Sequence, residues 1–167
     1  MTAMAWEAIR LDKEPSIPEL VDALAVVLRV PGTSVAVGQR LERLPTDVAV
    51  MAAIRTYSRG DFRVTLDVVA KDEELGRPLD HAAVAAFCGE IECRALVDDT
   101  EGDNPYCFLL ITADEPVKPV LVDKASLDDD DALTVARAAT DDDRRAVPEG
   151  PVSQRRPTPP PPGSSKK

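Results

Sequence analysis

The chain has 167 residues, a net charge of −10 at pH 7, and 44% hydrophobic but only 4% aromatic residues. One domain of ordinary size fits that length, with a core built from Ala, Val and Leu. Three cysteines give no even disulfide framework, no apolar run approaches the ~18 residues of a membrane span, and the start "MTAMAWEAIRLDKE" lacks a basic-then-apolar leader, so the expectation is a cytoplasmic protein with no membrane contact.

The charge is unevenly spread. Residues 141–167 hold four acids and six bases, while the preceding body carries 26 acids against 14 bases. Such a body repels nucleic acid and attracts basic partners. Its own basic residues read as scattered singly, without the basic-aromatic interleaving of a nucleic-acid face.

In chain order, "MAWEAIRL" reads as a short strand. "SIPELVDALAVVLRVPG" reads as a helix: Ser16 and Glu19 have capping-box spacing, Pro18 suits a first turn, and Pro31-Gly32 ends the run. Ile17, Leu20, Val21, Leu24, Val27 and Leu28 recur at helical spacing and predict the face that packs on a sheet. Val48 to Tyr57 and Phe62 to Val68 predict a hairpin, although "AVMAAI" in the first arm also suits a helix. The second arm alternates Phe62, Val64, Leu66 and Val68 with polar residues. Between the arms, Ser58-Arg59-Gly60-Asp61 contains an integrin-type tripeptide, but Gly-Asp is ordinary turn chemistry and a turn is the reading adopted.

"RPLDHAAVAAFCGEI" predicts a second helix with Asp80 as N-cap, Gly89 as stop, and Val84, Phe87 and Cys88 inward. "CRALVDDTEGDNPYCFLLI" and "VKPVLVDK" predict three strands. "SLDDDDALTVARAAT" predicts a third helix, with Asp128 to Asp131 at its positive end. From Asp141 the Pro-rich chain lacks periodicity and reads as a disordered tail. The expected architecture is a single α+β domain over residues 1–140. It has a mostly antiparallel sheet with two to three helices on one face, and a disordered tail over 141–167.

The stretch from Cys93 to Ile111 is the sharpest candidate site. Gly102 permits a positive φ and Asn104-Pro105 favours a turn, so a hairpin explains every residue type except the excess of acid. Neither Asp98 nor Asp128 starts an EF-hand, because Gly and Glu are missing from the sixth and twelfth places. A glycosidase pair needs one carboxylate buried to raise its pKa, whereas a hairpin tip faces water. His81, Cys88, Cys93 and Cys107 lack the close pairing of zinc ligands and the third group of a Cys-His nucleophile. No phosphate-binding glycine motif is present. No catalytic residue, metal site or cofactor is therefore expected, and the protein reads as a non-enzyme. Asp98, Asp99, Glu101, Asp103, Asn104 and Tyr106 form the expected partner-binding tip.

Asp98-Asp99, followed by Asn104-Pro105-Tyr106 and the apolar strand Phe108 to Ile111, resembles hairpins in small acidic bacterial proteins of the immunity type. The resemblance covers about twenty residues of the chain. It implies a cytosolic, non-enzymatic α+β protein that binds and neutralises a cognate toxin. Two other functions stay open: a secretion chaperone or adaptor that holds its client as a dimer, and a small hydrolase-like enzyme. The first reading allows a monomer or a homodimer with a basic toxin or effector as partner.

Overall fold

The computed structural model describes residues 3–40, 47–57, 59–71 and 80–147. In chain order these form β1 (Ala3–Leu11), α1 (Ile17–Leu28), β2 (Val35–Gly38), β3 (Val50–Thr56), β4 (Val64–Ala70) and α2 (His81–Ile91). There follow β5 (Ala95–Asp98), β6 (Cys107–Ile111), β7 (Lys118–Val122), α3 (Lys124–Asp130), β8 (Val135–Ala138) and α4 (Asp141–Arg145). The eight strands make one sheet in the order β2-β3-β4-β1-β5-β6-β7-β8. Every neighbouring pair is antiparallel except β2 and β3. The class is α+β. No helix among the described residues is long and apolar enough to cross a membrane.

Local signals explain α1 and α2. The Ser16 side chain accepts from the Glu19 N–H while the Glu19 carboxylate accepts from the Ser16 N–H, a complete capping box. Leu20, Ala23 and Leu24 are buried, but Ile17 is 60% exposed, so the expected apolar face is uncovered at its first turn. Asp80 caps α2 by accepting from Ala82 N–H. The helix runs past Gly89 to Ile91 and ends at Glu92 in the left-handed region. Gly89 is therefore no stop. A Cβ there would lie 3.3 Å from the Cβ of Ala113.

The sheet separates two cores. On the face covered by α1 and α2, Ile9, Leu11, Val64, Leu66 and Val68 meet Leu20, Leu24, Val84 and Phe87. Trp6 packs edge-on against Phe87, ring centres 5.3 Å apart. On the other face, Leu96, Phe108, Leu110, Val120 and Val122 pack with Leu127 of α3, Leu133, Tyr106 and Phe62. Two helices thus share one face and α3 lies on the other. Strand β6 is buried on both sides, which is why it reads as an unbroken apolar run.

Phe62 departs from the alternation of β4 because the loop before the strand crosses to the second core. There the Asp61 and Phe62 amides donate to the Leu133 carbonyl at 2.9 and 3.1 Å. Arg59 reaches Asp130 at 3.4 Å. The tripeptide Arg59-Gly60-Asp61 is a turn docked on the chain; Ser58 lies outside the described residues.

Three elements depart from expectation. The short β2 pairs in parallel with β3 and was not foreseen. The expected helix from Ser126 to Thr140 divides into α3 and β8, so Asp128 to Asp130 occupy the last turn and Asp131 the C-cap. They sit at the negative end of the helix, where carboxylates oppose the unpaired carbonyls, and the helix stops there. Finally, α4 lies within the segment assigned to a disordered tail. The expectation of disorder is corrected for residues 141–145, and residues 148–167 lie outside the described residues.

Candidate functional site: the acidic hairpin tip

The β5–β6 pairing, Asp98 opposite Phe108, confirms a hairpin. Its tip is not uniformly exposed, and the reason is α4. Asp99 is buried, and its carboxylate accepts from Arg144 Nε and Nη2 at 2.7 Å each. The Asp103 and Asn104 amides donate to the Arg144 carbonyl at 2.8 and 3.1 Å. Asn104, also buried, donates through Nδ2 to the Asp143 carbonyl at 2.8 Å and accepts from the Tyr106 amide at 3.0 Å. A Cβ at Gly102 would lie 2.7 Å from the Arg144 carbonyl oxygen. Glycine serves close approach there, and the positive φ expected at this position is absent from the described backbone.

The helix that makes this clamp is itself well capped. Thr140 Oγ1 accepts from the Asp143 amide, and the Asp143 carboxylate accepts from the Thr140 amide at 2.8 Å. Arg137 on β8 holds the same carboxylate with bonds of 2.7 and 3.1 Å. At the base of the tip, the buried Tyr106 hydroxyl donates to Asp128 of α3, 2.9 Å from each carboxylate oxygen. Lys124 Nζ sits 5.5 Å from the Tyr106 ring centre.

Of the six expected contact residues, Asp98, Glu101 and Asp103 are exposed, while Asp99, Asn104 and Tyr106 are buried structural supports. The expectation of an exposed tip is corrected for those three. Asp141 and Asp142 of α4 are exposed beside the tip, and Glu101, Asp141, Arg144 and Arg145 line a hollow of about 220 Å³ with Gly102.

The electrostatics oppose acid catalysis at the buried carboxylate. The Arg144 guanidinium holds Asp99 below the usual carboxylate range, and Asp99 in turn raises Arg144. Arg137 and then the Thr140 amide hold Asp143 well below that range. A carboxylate that gives up its proton so readily is a poor general acid at neutral pH. Cys107 is pushed up to about 11, first by burial and then by the Asp99 carboxylate beside it.

His81 opens α2, Cys88 lies near its end, Cys93 follows in the turn before β5, and Cys107 begins β6. Among the described residues no three His, Cys, Asp or Glu side chains gather as metal ligands.

Sequence reasoning missed Arg144 and Asp143 as parts of this site. A signal was present: Thr140 and Asp143 have the spacing of a capping box, followed by two arginines at the helix end. No protein-family model, no curated protein and no solved structure matches the chain.

Proposed function

We propose that the protein is a non-enzymatic acidic binding module of the immunity or inhibitor kind, neutralising a basic toxin or effector through the β5–β6 tip. The observation that supports this reading is the clamp. Asp99, Asn104 and Gly102 fix the loop on α4, and the loop then presents Asp98, Glu101 and Asp103 to solvent. Holding like charges together costs self-repulsion that a plain turn does not need. A rigid loop also loses little conformational freedom on binding, so its charges act as a preformed surface.

The test replaces only the exposed acids, as Asp98→Asn, Glu101→Gln and Asp103→Asn, and leaves Asp99 in place. The protein is immobilised and challenged with a panel of small basic toxins. The wild type should capture at least one, with an association rate that falls as salt rises. The triple variant should fold normally yet associate about tenfold more slowly at low salt, the difference fading at high salt. Equal rates at low ionic strength would remove the tip from the interface.

A further inference from the structure

The sheet ends in two edge strands, and they differ. β8 carries Arg137, whose guanidinium donates to the Ala138 carbonyl at 3.0 Å, and its register against β7 is irregular. A charge and a bulge are common means by which an edge resists pairing with another strand. β2 has neither. Its four residues, Val35-Ala36-Val37-Gly38, pair with β3 in regular register, and no charged residue occurs from Val30 to Gln39.

The pairing of β3 tells which backbone groups of β2 point outward. The Tyr57 amide donates to the Arg63 carbonyl at 2.7 Å and the Lys71 amide to the Ala49 carbonyl at 2.8 Å. Odd-numbered residues of β3 therefore bond to β4, and its even-numbered residues face β2. With Val35 opposite Val50 and Val37 opposite Ala52, the amide and carbonyl of Ala36 turn to β3, while those of Val37 turn away from the sheet. The Val35 carbonyl points outward too, and the Val35 amide donates to the Gly32 carbonyl. The layer above this edge is also open. Val35, Val37 and Ile54 pack under α1, and the exposed Ile17 borders with Val37 and Ile54 an open cleft of about 860 Å³. Val21, one turn further on and half-buried, lies 3.7 Å from where a Cβ of Gly32 would stand. Exposed Glu14 lies at the Ile17 end of α1 and exposed Arg29 at the other end, and neither has an ion-pair partner among the described residues.

We propose that the protein forms a two-fold dimer in which β2 pairs antiparallel with β2 of a second copy, joining the two eight-stranded sheets into one. The axis stands normal to the sheet at Val37, so the two Val37 residues satisfy one another, amide to carbonyl and carbonyl to amide. The two α1 helices then run antiparallel on the same face above the joint. Ile17 and Val21 close on the other copy's helix, and Arg29 of each copy approaches the end at which Glu14 of the other lies. A lone extended peptide would pair with β2 but leave Ile17 and Val21 uncovered, whereas a second copy brings a strand and a helix together. An edge without charge is also where two chains of net charge −10 meet with least repulsion. Strands β3, β4 and β1 separate β2 from β5 and β6, so the hairpin tips stay clear of the joint and the dimer presents two of them.

Sedimentation velocity of the full chain at about 0.15 M salt tests this. The wild type should be a dimer at concentrations on the order of 100 μM, and the hairpin-tip triple variant should match it. Ile17→Lys charges the exposed flank and Val37→Lys the bare edge. Each should weaken dimerisation by about tenfold or more, with circular dichroism checking the fold. Ile17 is exposed, so its variant keeps the test open if Val37→Lys fails to fold. Arg29→Glu should weaken the dimer about threefold, and adding Glu14→Arg should restore it, because each copy then offers the exchanged charges to the other. Hydrogen exchange reads the register: the Val37 amide should be protected in the wild-type dimer and exchange freely in dilute Ile17→Lys protein. A wild type that stays monomeric or grows past a dimer overturns the proposal. So does a dimer that persists unchanged in Ile17→Lys, that leaves the Val37 amide unprotected, or that the double charge exchange fails to restore.

Discussion

Asp99 and Arg144, 45 residues apart in the chain, face each other through two parallel hydrogen bonds of 2.7 Å, and this pair ties the C-terminal helix to the hairpin. The folded body therefore includes α4. A chain ending at Val147 should melt at the wild-type temperature. A chain ending at Thr140 leaves a buried carboxylate without its cation and should melt lower by roughly 5 °C or more. Gly102→Ala should move in the same direction, since its Cβ would meet the Arg144 carbonyl. Differential scanning calorimetry of the three proteins decides.

The same pair predicts an acid-sensitive clamp. The hydrogen bonds from Arg144 hold the folded pKa of Asp99 below the usual carboxylate range, so the unfolded chain takes up a proton first as pH falls. The stabilisation is complete above about pH 5 and is lost progressively as the pH drops through and below about 4. Asp143, lowered by Arg137, adds to the loss in the same direction. Between pH 6 and pH 3, the melting temperature of an Asp99→Asn, Arg144→Met protein should fall less than that of the wild type.

Gly60 has φ +89°, and a Cβ there would lie 2.8 Å from the Leu133 amide nitrogen. Both the conformation and the contact exclude a side chain. Gly60→Ala should cost about 1–3 kcal/mol and loosen the loop that carries Phe62 into the second core. Denaturant unfolding measures the loss. Stability equal to the wild type would show that the loop relaxes away from Leu133.

The three cysteines are buried in the native state. Burial and the Asp99 carboxylate raise Cys107, and Cys93 is raised by its contact with Cys88 and by burial. Burial keeps a reagent from all three, and Cys93 and Cys107 also resist forming the reactive thiolate, so none should react with a disulfide reagent at pH 8 within minutes, and all should react in denaturant. A fast-reacting thiol in the folded protein contradicts this.

Arg29, Glu92 and Asp131 end the first three helices with φ between +53° and +61°. Glycine occupies that region without steric penalty. Exposed Glu92 is the simplest to change, and Glu92→Gly should raise stability by about 0.5–1 kcal/mol in thermal melts.

Much of this protein was legible because some signals act within one turn or one pleat. Ser16 and Glu19 announce the start of α1, and Asp80 the start of α2, since a cap bonds amides two or three residues away. Val64, Leu66 and Val68 announce β4, since alternate residues of a strand share a face. The apolar run of β6 shows that it is central. Tertiary structure decided the rest. Residues 126–140 read as one helix from their sequence, yet Val135 to Ala138 lie in a strand that pairs with β7, and that pairing decides the outcome. Asp99 and Asp103 look alike in the sequence. One is buried and the other exposed because Arg144, far along the chain, reaches only the first with its side chain. Arg10 and Arg55 appear isolated until strand register sets them on either side of Thr65. Local chemistry names the elements, while burial and pairing between distant residues assign each charged side chain its surroundings, because those depend on which strands become neighbours.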